Sequence, residues 1–142
     1  WYMNRKKLIF YFINIFIPLS IGFLFYCLYD RNTYINDIFP LYKTIYYEKR
    51  VYYIMSNWGC DFLWAYALFF SWYWYIKNHT KTLFTTLIIA SILELLQLIK
   101  IDGIKCGTFD WYDIIIEFTG SITAMLVNYF FEKKKGIKKY GK

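Results

Sequence analysis

Polar and apolar positions alternate in long blocks along this chain. Four runs, Leu8 to Tyr29, Asp61 to Ile76, Leu83 to Ile99 and Ile114 to Phe131, are almost wholly apolar, and most charges collect between them. A helix rises 1.5 Å per residue and needs about 20 such residues to cross the hydrocarbon core of a bilayer. The pattern therefore predicts an all-α, polytopic membrane protein with about four transmembrane helices. Leu8 to Tyr29 is the clearest run, with only Asn14 and Ser20 as polar breaks. It lacks the charged stripe that a soluble helix shows opposite its apolar face. Pro18 predicts a mild kink there. The second and third runs are shorter, and their interfacial ends are expected to complete the span.

The start, "MNRKKLIFYFINIFIPLSIGFLFYCLYD", has the basic residues and apolar run of a signal peptide. Its apolar run of about 22 residues exceeds the 7 to 15 of a signal peptide, and no small-x-small site follows, so a retained first helix is expected. Counted from Met3, residues 3–132 read as a single transmembrane domain and 133–142 as a basic cytoplasmic tail. The long polar interval "RNTYINDIFPLYKTIYYEKRVYYIMSN" mixes apolar and charged residues at near-helical spacing. It suits an amphipathic helix lying on the membrane face, and an ordered loop is the competing reading.

Composition supports this picture: 58% of residues are hydrophobic and 19% charged, with aromatic residues at 25%. The run "WAYALFFSWYWY" reads as an interface belt, where amphipathic rings favour the headgroup level. The net charge of +7 raises nucleic acid as a partner, but the bases cluster at helix ends, a topology signal, and nucleic acid is set aside. Arg5, Lys6, Lys7, Lys77, Lys81 and six lysines from Lys133 onward make eleven of the seventeen bases. With four spans and the positive-inside rule, both termini are expected to face the cytoplasm. Nine of the ten acids then fall on the outer side, with Glu132 the exception.

That one-sidedness locates the candidate chemistry. Glu94 and Gln97 in "SILELLQLIK" share one helix face. In "KCGTFDWYDIIIEFTG", Asp110 suits an N-cap and Asp113 the positive end of a helix. Glu117 lies one turn deeper, where capping cannot account for it and an acid needs a partner or a role. Asp61 enters the second span at the same outer level. The expected site is an outward-facing polar pocket with Glu94, Asp113 and Glu117 as catalytic candidates and Asp61, Gln97, Lys100, Lys105 and Asp110 as binding residues. Three chemistries stay open: paired carboxylates as general acid and base, oxygen ligands for a divalent cation such as Mg²⁺ or Ca²⁺, or structural pairing with bases.

Other classes are weakly indicated. His79 is the only histidine, which argues against a zinc centre or a histidine-based triad, and no Gly-rich phosphate loop is present. Cys27, Cys60 and Cys106 all fall near the outer face; a bridge between Cys60 and Cys106 and three thiols are both compatible with the spacing. A channel or transporter finds little support, because Asn14 and Asn128 alone mark no polar line through the inner halves of the spans.

The motifs "ELLQ" and "DWYDIIIEFTG" resemble those of the VanZ-like family of small bacterial membrane proteins. That family carries Glu, two residues, Gln, then after a loop Asp, three residues, Asn, two residues, Gly. Here "ELLQ" supplies Glu94 and Gln97 and "DWYDIIIEFTG" supplies Asp110, Asp113 and Gly120; Glu117 stands at the Asn position, Gly107 where Arg is common, and no His begins the second span. The resemblance spans about 27 residues. It implies a cell-envelope context linked by name to glycopeptide resistance, and names no reaction. The expected function is binding, with or without modification, of a lipid or lipid-linked glycan headgroup. The alternative is a structural or accessory subunit, held to a membrane-protein partner or to further copies of itself.

Overall fold

The computed structural model describes residues 5–28, 38–39, 54, 58–97 and 110–140. Among them are four helices: α1 (Arg5–Leu28), α2 (Cys60–Ile76), α3 (His79–Gln97) and α4 (Trp111–Tyr140). The proposed interfacial helix falls almost entirely outside the described residues, as do Lys100, Lys105 and Cys106. Segments of α1, α3 and α4, namely Arg5–Phe25, His79–Leu96 and Trp111–Lys134, are long and apolar enough to cross a membrane. The 17 residues of α2 reach only about 26 Å. Helix α1 continues through Pro18, and α4 runs past the expected end of its apolar run to Tyr140.

Helix α2 packs against all three others, and α3 packs against α4. Side-chain contacts fix the directions. Tyr66 meets Asn14, while Phe70 and Tyr73 lie against Phe10 and Tyr11, so α1 and α2 are antiparallel. Phe62 faces Gly120 and Tyr73 bonds Glu132, which makes α2 and α4 parallel. The bundle therefore has two ends. One gathers the start of α1, the α2–α3 turn and Glu132; every described Lys and Arg side chain belongs to it. The other gathers Asp61, Glu94, Asp110, Asp113 and Glu117. We call these the basic and the acidic end.

The tight turn between α2 and α3 follows from its residues. Lys77 takes a left-handed conformation, φ 53°, that lets its N–H reach the Tyr73 carbonyl at 3.0 Å and closes α2. Asn78 then opens α3: its Oδ1 accepts from the Lys81 N–H at 3.0 Å. That satisfies one of the orphan donors of a helix start.

Aromatic residues divide by helical face, which corrects the belt reading of "WAYALFFSWYWY". Phe69, Phe70 and Tyr73 are buried and join Tyr11 and Ala124 in the core, whereas Trp64, Trp72 and Tyr75 point outward. Periodicity of 3.6 residues sends the first set inward, and rings of this size fill the space between helices. Outside, α1 presents Leu8, Ile9, Phe12, Ile13, Phe16 and Ile17 to the surroundings. A continuous apolar face of this extent suits lipid contact and would be costly in water.

Candidate functional site

The acidic end is assembled by one close approach. A Cβ added to Gly120 would fall 2.5 Å from the Phe62 carbonyl oxygen and 3.3 Å from that residue's Cα, so α4 lies backbone to backbone against the first turn of α2. Only glycine admits this contact, and it sets Asp61, next to Phe62, at the level of Glu117, about one turn from Gly120. Helix α3 brings Glu94 to within about one turn of that level, opposite Asp113. Glu117 is 2% exposed and Glu94 5%, while Asp61 and Asp113 are partly exposed. Glu94, Asp61 and Asp113 all lie within electrostatic range of Glu117.

Four of the sequence candidates, Asp61, Glu94, Asp113 and Glu117, are thus brought together. Asp110 is not part of that group: it is exposed, its Oδ1 accepts from the Tyr112 N–H at 3.0 Å, and its carbonyl accepts from the Asp113 N–H at 3.1 Å. It caps α4, as its position one residue before the helix requires. Gln97 ends α3, with its side chain outside the described ones, and Lys100 and Lys105 lie beyond the described residues. Among the described residues no three of His, Cys, Asp and Glu converge closely enough to hold a metal ion. Cys27 is a buried thiol, and the buried Cys60 turns its Sγ toward the Gly22 carbonyl at 3.8 Å.

At the basic end the structure builds a network that the sequence reading missed. Glu132 accepts from Lys7 Nζ at 2.9 Å through one carboxylate oxygen and from the Tyr73 hydroxyl at 2.9 Å through the other. His79 Nε2 stands 3.8 Å from the second oxygen and 3.3 Å from Asn128 Nδ2. Asn128 is fully buried, and its Oδ1 accepts from the Tyr11 hydroxyl at 3.3 Å. Phe10 and Phe131 stack beside this network with ring centroids 3.6 Å apart. All four helices contribute to it. The signal in the sequence was the lone acid Glu132 among eleven bases; its partners come from distant segments and could not be read.

Between the ends runs a second feature the sequence reading did not find. Six polar residues are buried among those described: Thr82, Thr86, Glu94, Glu117, Ser121 and Asn128, all on α3 and α4. Their register matches. Starting from the His79–Asn128 contact, Thr86 lies about two turns along α3 and Ser121 about two turns back along α4; Ala90 and Glu117 follow at about three turns, Glu94 and Asp113 at about four. Buried polar side chains thus continue past the acids along α3 and α4, beyond the Asn14 and Asn128 that the sequence singled out. Thr and Ser escaped notice because single hydroxyl residues are common in apolar helices and mark nothing until their faces are known to meet.

No family model matches the chain, and no match was found among curated proteins or solved structures.

Proposed function

We propose that this chain is a divergent VanZ-like integral membrane protein of the bacterial envelope, with four spans and cytoplasmic termini, whose acidic end binds the headgroup of a lipid or lipid-linked glycan. The observation that supports this reading most is the convergence of Glu94 and Glu117, both nearly fully buried, with Asp61 and Asp113 at one end of an apolar bundle. Carboxylates at membrane depth are costly, and their retention marks a functional site by default. Their chemistry suits hydroxyl and amine groups of a glycan or amino headgroup, which donate to carboxylate oxygens.

The test is the pair Glu94→Gln and Asp113→Asn at wild-type expression. A changed envelope phenotype and lipid profile is expected in both. Profiles identical to wild type would end the headgroup reading. The exposed apolar face of α1 favours the second reading, an accessory subunit that docks a partner helix. Under it the same variants lose complex assembly, read by co-purification, and leave lipid composition unaltered.

A further inference from the structure

We propose that the α3–α4 seam is a proton path across the membrane, with Glu117 as its proton-carrying carboxylate. This does not rest on the headgroup reading. Three oxygens at the middle of the seam, Glu117 Oε2, Ser121 Oγ and Thr86 Oγ1, are buried and have no hydrogen-bond partner among the described residues. Ser121 and Thr86 are 0% exposed and stand at one level on facing helices. Glu117 follows Ser121 by about one turn on the same face of α4, and by register the buried Ala90 of α3, with only a methyl group, falls at about its level. Buried polar groups are satisfied by protein or by internal water, and a polar, roomy site with several such groups is where water is held.

The seam has the right length. From Asp113 to Glu132 is about 28 Å along α4, close to the thickness of a hydrocarbon core of about 30 Å. Its ends are chemically different. Glu117 is faced by Asp61 from α2, Glu94 from α3 and Asp113 from its own helix. The far end offers Glu132 hydrogen-bonded by Lys7 and Tyr73, with His79 Nε2 3.8 Å from the carboxylate and 3.3 Å from the Asn128 amide. Steps between them are short: His79 to Thr82, Thr82 to Thr86, and Ser121 to Glu117 are each about one turn, roughly 6 Å or less, a gap that one water can bridge; the Thr82 hydroxyl donates to the Asn78 carbonyl at 2.8 Å and keeps its lone pairs free to accept.

The chemistry is proton transfer alone. Glu117 takes a proton from the acidic end and releases it to water held by Ser121 and Thr86, whose hydroxyls both donate and accept. At the basic end His79 Nε2 receives it. That nitrogen faces the Asn128 amide at 3.3 Å and the Glu132 carboxylate at 3.8 Å. A neutral ring accepts from the amide, and a charged ring donates to the carboxylate, so both states of the carrier have a partner. Only O–H and N–H bonds form and break.

The test uses the purified full chain in vesicles of phosphatidylethanolamine and phosphatidylglycerol with an entrapped pH-sensitive dye. A potassium gradient with valinomycin supplies the driving potential. Wild-type vesicles are expected to take up protons faster than protein-free vesicles, and Glu117→Gln is expected to lose that flux entirely. Ser121→Ala and Thr86→Val should slow it, while Ser121→Thr and Thr86→Ser, which keep the hydroxyl, should retain it. Wild-type flux equal to that of protein-free vesicles overturns the proposal, as does Glu117→Gln at the wild-type rate. If Glu117→Gln fails to fold, judged by elution and helicity, the hydroxyl variants decide: Ser121→Ala and Thr86→Val both conducting at the wild-type rate would overturn it.

Discussion

At the basic end one carboxylate, Glu132, accepts from Lys7 of α1 and Tyr73 of α2, with His79 of α3 3.8 Å away. At the acidic end Glu117 is more deeply buried, and its described charged neighbours are other acids. The first arrangement joins helices, since each partner comes from a different one and each hydrogen bond satisfies a group that lipid cannot. The second works against the fold, because gathering like charges in a low-dielectric site is unfavourable. A chain selected for stability alone would have no reason to keep it. Strain of this kind is found where a site must bind or move something.

Removing the contact that assembles the acidic end should have the largest effect on the comparison. Gly120→Ala places a Cβ into the Phe62 carbonyl and is expected to lower stability by about 3 kcal/mol, read by thermal unfolding in detergent. A melting temperature equal to wild type would mean that α2 and α4 are not held backbone to backbone. Glu132→Ala comes next. It strips Lys7 and Tyr73 of their acceptor, and a loss of about 1–2 kcal/mol is expected, the ion pair being about a third exposed.

Glu117→Gln sharpens the contrast through its sign. Neutralising a buried carboxylate that faces other acids should leave stability unchanged or raise it by about 1 kcal/mol, the opposite of Glu132→Ala. A clear loss on Glu117→Gln would place both ends in one structural class. The smallest change concerns the turn beside the basic end: Lys77→Gly relieves a left-handed residue and should raise the melting midpoint slightly, by about 0.5 kcal/mol in stability. No shift would indicate that lysine sits there without strain.

Much of the fold was legible along the chain. Starts and ends of the apolar runs matched helices to within a few residues: Leu8 to Tyr29 became Arg5–Leu28, and Asp61 to Ile76 became Cys60–Ile76. The third began four residues early, because Asn78 caps the helix at His79, ahead of its apolar stretch. The fourth ran on through its lysines to Tyr140, since lysine is a good helix former and nothing in "EKKKGIKKY" stops a helix firmly. Of the acidic cluster, both the depth and the company of Asp61, Glu94, Asp113 and Glu117 could be read, while the partners of Glu132 could not. Glu117 was recognised as unexplained by capping, and Asp110 as a cap, both from position alone.

Sequence by itself determined that this protein is helical, that three of its described helices are long and apolar enough for a membrane, and that its charges divide between two ends. These properties are local or compositional, set by the apolar run and by the residues that bound it. Tertiary structure alone decided which helices meet, and with it the Glu132 network, the Gly120 contact and the matched register of Thr86 with Ser121. A helix shows each of its faces equally in the sequence. Which face is buried, and against what, depends on packing between segments as far apart as Lys7 and Glu132.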